Sequence, residues 1–120
     1  MFEERLQQFV AILDGQVKSE YQKLYPNLLE AGFDPGVKID NRGSKYIKLS
    51  EFEKKHKRNR VVGFVVVKDS NTATMGELKK GDILMAATFK APAKGVRGNI
   101  FDDDNGLSAS NGRGCVRYAS

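Results

Sequence analysis

Arg60 to Lys68 reads Arg-Val-Val-Gly-Phe-Val-Val-Val-Lys, the most β-prone stretch of a chain of 120 residues. Residues at both odd and even positions are apolar, which is typical of a strand buried on both faces. We therefore predict a central strand that a helix covers on at least one side. The length of the chain fits one domain, whose core needs neither disulfides nor metal.

The first part of the chain carries the pattern of an amphipathic helix. Its apolar residues recur every three or four positions, the period of one helical face. We predict a core-facing helix over residues 3–24, a break at Tyr25 because Pro26 disfavours helical geometry there, and a further turn over residues 27–31. Pairing of the apolar face of residues 2–24 with a second copy of the chain is the alternative. The apolar residues that recur at this spacing are Phe2, Leu6, Phe9, Leu13, Val17, Tyr21, Leu24 and Leu28.

Further strands are indicated on both sides of the central one. The stretch 44–52 is apolar on one face only, which suits a sheet with one wet side. Residues 83–89 follow a Lys-Gly-Asp turn and are expected to pair antiparallel with the central strand. Turn formers dominate residues 33–43, and residues 69–80 have the composition of a polar loop anchored by Leu78. Shorter strands are predicted at residues 96–101 and, at the edge of the sheet, at residues 115–118.

These elements predict an α+β fold. The N-terminal amphipathic helix packs on an antiparallel sheet of three to five strands in meander order, because the connections are short. A long glycine-rich loop region, residues 104–114, follows near the C-terminus. The chain is expected to form a single domain over residues 1–120, with a helical segment at 1–31 and a β-rich segment at 38–120.

Positive charge is concentrated in the middle of the chain. The net charge is +5 overall, and it divides into −3 for residues 1–37, +6 for residues 38–60 and +2 for residues 61–120. A local surplus of this kind favours a polyanionic partner, with nucleic acid as the first candidate. The alternative is that the cationic run is a solvated hairpin connection.

Two basic segments are the candidate nucleic-acid contacts. Lysine and arginine neutralise phosphates and release counterions, which gives salt-sensitive binding without base specificity. Pro92, Gly95 and Gly98 frame the second segment, as in short loops that contact phosphate. Tyr46, Phe89 and Phe101 are available to stack on unpaired bases, or else belong to the core. The predicted contact residues are Lys54, Lys55, Lys57, Arg58, Arg60, Lys90, Lys94 and Arg97.

Catalysis, metal binding and a cofactor are not indicated. Asp102, Asp103 and Asp104 are consecutive, whereas a calcium loop spaces its acids at alternate positions and ends on a glutamate. We interpret them as an acidic turn. His56 lies in a cationic run, and Cys115 has no histidine near it in sequence to form a catalytic pair. We therefore expect a binding protein, not an enzyme, with no catalytic residues, no cofactor and no small-molecule substrate.

The predicted location is the cytoplasm. One cysteine cannot form an internal disulfide. No apolar run approaches the roughly eighteen residues of a membrane span, so a membrane partner is not expected. A homodimer is the competing hypothesis to nucleic-acid binding, formed through the helix face or through an edge strand at residues 115–118.

Three stretches within residues 43–102 form a specific pattern: Gly-Ser-Lys-Tyr-Ile-Lys at residues 43–48, residues 62–68, and above all Gly81 to Asp102, which contains Lys-Ala-Pro-Ala-Lys-Gly-Val-Arg-Gly-Asn. In this pattern, residues 43–102 resemble small uncharacterised proteins encoded by tailed bacteriophages. Met85 replaces the lysine, and Phe89 the tryptophan, that the pattern tends to have. The resemblance implies a phage origin, expression in the cytoplasm of a bacterial host and an accessory, non-enzymatic role, with a place in the virion left open.

Overall fold

The structure of the protein, a computed structural model, describes residues 1–53 and 58–118. A long helix at the N-terminus is followed by seven strands, and a short 3₁₀ turn lies near the C-terminus. The elements are α1 (Phe2–Leu24), α2 (Pro26–Glu30), β1 (Pro35–Arg42), β2 (Tyr46–Glu53), β3 (Arg58–Val66), β4 (Ser70–Thr72), β5 (Gly76–Leu78), β6 (Asp82–Ala86), β7 (Pro92–Asn99) and the 3₁₀ turn Leu107–Ala109.

The main sheet has five antiparallel strands in the order β1-β2-β3-β6-β7. Strands β4 and β5 form a separate two-stranded hairpin between β3 and β6. The sheet is thus a meander with one inserted hairpin, and α1 packs on one of its faces. The predicted α+β fold and the antiparallel pairing of β3 with β6 are confirmed.

Strand β3 is the centre of the sheet and contributes to two apolar clusters. Val62 and Val65 join the main core under α1. Phe64 and Val66 join a smaller cluster with Leu78, from the β4–β5 hairpin. Both clusters exclude water, which explains the continuous apolar run in this strand. The prediction of a central strand that a helix covers on at least one side is confirmed, and Leu78 is the predicted anchor, at 1% exposure.

Helix α1 buries its apolar stripe in the protein's own core. Leu6, Phe9, Leu13 and Val17 are at most 1% exposed. The helix ends at Leu24, and Pro26 opens the short α2, in agreement with the predicted break. The sheet thus covers these residues within one chain, and pairing of the helix face with a second copy stays a prediction.

Three assignments made from the sequence were wrong. Residues 35–42, within the predicted turn region, form strand β1, and the predicted polar loop contains the β4–β5 hairpin. Residues 115–118 do not form an edge strand. Val116 makes an isolated bridge with Ser110 and donates its N–H to the carbonyl of Val62 in β3 at 2.9 Å, whereas the edges of the main sheet are β1 and β7.

Strand β1 has its free edge partly covered by α1. Asp14 Oδ1 accepts a hydrogen bond from the backbone N–H of Val37 at 2.9 Å. Gly36 permits this approach, because a Cβ at that position would lie 2.7 Å from Asp14 Oδ1. An edge N–H that is already bonded cannot pair with another strand. This contact therefore disfavours association of two copies through β1.

The helix is also tied to β1 by an ion pair between Glu3 and Arg42, with an N–O distance of 2.7 Å. Hydrogen bonds from Arg42 and then Gln7 lower the pKa of Glu3 from 4.5 to about 2. The stabilisation is therefore complete above the unfolded pKa of 4.5 and is lost as the pH falls through the folded pKa of about 2.

We expect Glu3→Gln to lower the free energy of unfolding at pH 7 by no more than about 1 kcal/mol, because both side chains are well exposed to solvent. The deficit should shrink between pH 4.5 and about 2. Urea unfolding of both proteins across this range measures it, with Glu4→Gln on the same helical turn as the control. If Glu3→Gln lowers the free energy of unfolding by the same amount at the lowest pH, the lowered pKa of Glu3 is not the cause of the difference.

None of the helices in the described part of the chain is long and apolar enough to cross a membrane.

Candidate nucleic-acid interface

The turn between β6 and β7, residues 87–91, is held by hydrogen bonds that fix its shape. The N–H groups of Ala87 and Thr88 both donate to the carbonyl of Ala91, at 3.0 and 3.1 Å. Thr88 Oγ1 accepts from the N–H groups of Lys90 and Ala91, at 3.2 and 3.1 Å. The turn therefore presents Phe89 and Lys90 from a defined backbone.

Phe89 lies over β2, on the face of the sheet opposite α1. Lys48 Nζ is 4.0 Å from the centroid of the Phe89 ring and 3.4 Å from its carbonyl oxygen. The same ammonium is 3.6 Å from Asp40 Oδ2. Asp40 is held in turn by the buried hydroxyl of Ser50, which donates to it at 2.8 Å. Lys48 is thus a fixed cation beneath an exposed ring.

A groove of about 510 Å³ lies between this turn and the β1–β2 connection. We call it the basic groove. Its charged and aromatic lining residues are Lys45, Lys48, Lys90, Tyr46, Phe64 and Phe89. The others, Asn41, Gly43 and Ser44, are neutral, so none of the described residues that line it carries a carboxylate. Three cations and three aromatic rings thus meet in one concave surface.

Only part of the predicted second segment reaches this groove. Lys90 is exposed and lines it. Lys94 is exposed on β7. Arg97 is only 8% exposed, and its guanidinium donates to the carbonyls of Lys94, Gly95 and Arg117 and to Met85 Sδ. Its donors are used inside the protein, so its predicted role as a nucleic-acid contact is replaced by a structural one.

The glycines of this segment also serve the fold. A Cβ at Gly98 would lie 3.1 Å from the Cβ of Ala109. Gly95 has a φ of +104°, and a Cβ there would lie 2.9 Å from Arg97 Nη1. Both glycines allow close packing within the chain, whereas the sequence suggested close approach of a ligand.

The first predicted segment is only partly described. Lys54, Lys55 and Lys57 lie outside the described residues, as does the side chain of Arg58, whose backbone begins β3. Arg60 is exposed and pairs with Glu51 at 2.9 Å. Arg60 and Phe89 both line a shallow depression of about 290 Å³. The start of β3 and the β6–β7 turn are therefore neighbours, although Arg60 does not line the basic groove.

Sequence reasoning missed Lys45 and Lys48 as site residues. The signal was present in the alternation of Tyr46 and Lys48 on the wet face of β2. Pairing with Phe64 on β3 places Lys48 at the middle of the sheet. Neither lysine stands in a run of consecutive basic residues, so the search for such runs overlooked them. Their partners in the groove, such as Phe64 and Lys90, come from distant parts of the sequence.

The three aromatic residues proposed for stacking are in different positions. Phe89 is 53% exposed in the basic groove. Tyr46 is half-buried and meets Phe64 edge-on, with ring centroids 6.2 Å apart. Phe101 packs beside Phe2 of α1, at 6.3 Å between centroids. Phe89 is therefore the most accessible stacking surface of the groove.

The whole of residues 2–119 matches one family model, described as a family of unknown function (DUF7717). The chain belongs to this family. No curated protein and no solved structure matches it. The resemblance of this DUF7717 member to phage proteins stays a prediction.

The acidic turn after β7 organises the backbone of this family member. Asp102 Oδ2 accepts from the N–H of Asn99 at 3.0 Å. Asp104 accepts from the N–H groups of Ser108 and Gly106, both at 2.9 Å, and these bonds lower the pKa of Asp104. In the described part of the chain, no group of three or more histidine, cysteine or acidic residues is placed to hold a metal ion.

Cys115 and a second cleft lie outside the basic groove. Burial raises the pKa of Cys115, against the opposing effect of Arg60, so its thiol is mostly protonated at neutral pH. A cleft of about 490 Å³ borders the C-terminal end of α1, and acidic Glu20, Glu51 and Glu53 share its lining with Arg60 and Arg113. Its mixed charge suits a polyanion less well than the basic groove does.

Proposed function

We propose that this protein binds nucleic acid with low sequence specificity through the basic groove. The observation that carries the proposal is the lining itself, with three lysines, three aromatic rings and no carboxylate among its described residues. Ammonium groups attract phosphates without distinguishing bases, and aromatic rings add contacts with bases that are largely insensitive to sequence.

The arrangement of the lysines supports a phosphate backbone as the ligand. Lys45 is exposed in the β1–β2 connection and Lys90 in the β6–β7 turn, so they flank the groove on opposite sides. Lys48 lies at its floor, with only 14% of its side chain exposed. Lys94 is exposed on β7 but does not line the groove. A chain of phosphates crossing the groove would therefore meet a cation on either side.

The biological setting belongs to the same proposal. The resemblance to tailed-phage proteins supports an accessory role during infection, in the cytoplasm of a bacterial host. The protein acts in this role by binding, without catalysis. Self-association is the competing hypothesis, and the mass of the protein in solution across a wide range of concentrations tests it.

The double variant Lys45→Ala/Lys90→Ala should weaken nucleic-acid binding at about 50 mM salt by at least about tenfold. It should also reduce the slope of log affinity against log salt by about 2, one for each lost phosphate contact. Fluorescence anisotropy with labelled single- and double-stranded DNA and RNA, at about 50 and 200 mM salt, measures both quantities.

Lys18→Ala/Lys23→Ala is the matched control, because it removes the same charge from α1, on the opposite face of the sheet. We expect it to retain most of the affinity. If the two double variants weaken binding equally, the effect is one of net charge and the groove is not the site. If the unmodified protein does not bind even at low salt, the proposed function itself is wrong.

A further inference from the structure

Phe89 is a large apolar residue whose side chain is exposed to solvent. It is 53% exposed and belongs to neither apolar cluster. The turn that carries it is nevertheless braced by four hydrogen bonds within residues 87–91. A ring held in place by its backbone loses little conformational freedom when it binds a partner. This arrangement is typical of a preorganised binding surface.

One side of the ring is already occupied by a cation. Lys48 Nζ lies 4.0 Å from the ring centroid, within the range of a cation–π interaction. Asp40 and the carbonyl of Phe89 hold the ammonium there. Because 53% of Phe89 is still exposed, the ring has an open side that a flat ligand can contact.

The shape of the groove distinguishes between forms of nucleic acid. Its volume of about 510 Å³ is within the range of pockets that enclose a drug-sized ligand, which is also the size of a nucleotide. A duplex keeps its bases stacked on one another and presents a convex backbone, so its bases cannot reach Phe89 without being flipped out. A single strand can place a base in the groove at much lower cost.

We infer that the groove takes single-stranded nucleic acid, with one base stacked on the open side of Phe89 and the flanking phosphates at Lys45 and Lys90. This inference rests on the proposed nucleic-acid binding and names its substrate. Lys48 remains beneath the ring, where it holds Phe89 in position. A duplex binds the same lysines through its backbone alone, and therefore more weakly.

Substitution of Phe89 tests this directly. Phe89→Ala should lower the affinity for a labelled oligo(dT) by between about fivefold and a hundredfold, the range found when a stacking aromatic is truncated. Its affinity for the oligo(dA)·oligo(dT) duplex should not change. The matched control is Phe101→Ala, which removes an exposed ring beside Phe2, outside the groove. Far-UV circular dichroism and urea unfolding establish that each variant is folded.

A second variant provides a readout that does not depend on affinity. The chain contains no tryptophan, so Phe89→Trp introduces a single indole at the stacking position. Oligo(dT) should quench its fluorescence, whereas an abasic oligonucleotide of the same length should not, although its phosphates are intact. Quenching of equal size by both would show that no base stacks at this position.

The possible failures are distinguishable. If the unmodified protein binds the single strand and the duplex equally well, and Phe89→Ala changes neither affinity, the inference is wrong while nucleic-acid binding stands. If the unmodified protein binds neither probe at low salt, the proposed function fails and the inference fails with it.

Discussion

Gly114→Ala is expected to lower the free energy of unfolding by about 2 to 5 kcal/mol. Gly114 has a φ of +94°, a conformation that costs alanine about 1 to 2 kcal/mol. Its added Cβ would also lie 2.1 Å from Val17 Cγ2 and 3.1 Å from the carbonyl oxygen of Leu13. Since Leu13 and Val17 belong to α1, the C-terminal segment would have to move away from the helix.

Gly112→Ala is the matched control for this substitution. Gly112 also has a positive φ, +81°, but no atom lies within 4 Å of its added Cβ. It should therefore show only the backbone cost, partly offset by the reduced entropy of the unfolded chain. Urea unfolding of both variants separates the steric effect from the conformational one.

A double-mutant cycle identifies the atoms responsible. Val17→Ala removes the methyl groups closest to the added Cβ, so Val17→Ala/Gly114→Ala should be more stable than the sum of the two single effects predicts. Strict additivity, or equal stability of the Gly112 and Gly114 variants, would show that the C-terminal segment does not pack on α1 as described.

The elements that the sequence predicted well are those with a strong local pattern. Helix α1 has an uninterrupted stripe from Leu6 to Val17, and Pro26 marks its end. Five of the nine residues of strand β3 are valine or phenylalanine, and they are concentrated in residues 61–66. In both cases the pattern of apolar residues, periodic in α1 and continuous in β3, follows directly from burial, so the local sequence is enough to predict the element.

The elements that it missed depend on contacts between distant residues. Asp34, Pro35 and Gly36 form a turn signal at the start of β1, yet residues 35–42 pair along β2, and the N–H of Val37 donates to Asp14 of the helix. Residues 115–118 have the composition of a strand, but Val116 is buried in the main core and its N–H donates to the carbonyl of Val62 in β3. The local sequence carries no information about these distant contacts, and tertiary packing overrides the local preference for a turn or a strand.

The same limit applies to the candidate site. Lys90 was predicted, because it stands in a conspicuously basic stretch. Lys48 and Lys45 were missed, because they meet Lys90 only after the β6–β7 turn folds over the sheet. Consecutive basic residues in the sequence therefore predict the lining of the candidate site less well than basic residues that share one face of a strand. Arg97 shows the converse, a basic residue within the predicted segment that the fold has buried.

Arg97→Ala should destabilise the protein by about 2 to 3 kcal/mol. The Arg97 guanidinium donates to the carbonyl of Lys94 at 3.0 Å and to that of Arg117 at 3.3 Å. Arg117 returns a bond to the carbonyl of Arg97 at 3.3 Å and donates to that of Ser108 at 2.8 Å. The two arginines thus join β7 to the C-terminal segment, and removing one leaves carbonyls in a part-buried site without donors.

Arg97→Lys tests whether geometry or charge matters at this position. It keeps the positive charge but loses the planar fork that reaches several carbonyls at once, so it should recover less than half of the lost stability. Lys94→Ala, an exposed change on the same strand, should alter stability by no more than about 0.5 kcal/mol. Urea unfolding measures all three.

Binding provides the decisive comparison for Arg97. If its role is structural, the folded fraction of Arg97→Ala should bind single-stranded nucleic acid as tightly as the unmodified protein, whereas Lys90→Ala should lose affinity without losing stability. The reverse pattern, with normal stability and weak binding for Arg97→Ala, would return Arg97 to the contact surface. Loss of binding alone therefore does not identify a contact residue in this protein, because the Arg97 side chain is buried and bonded inside the fold.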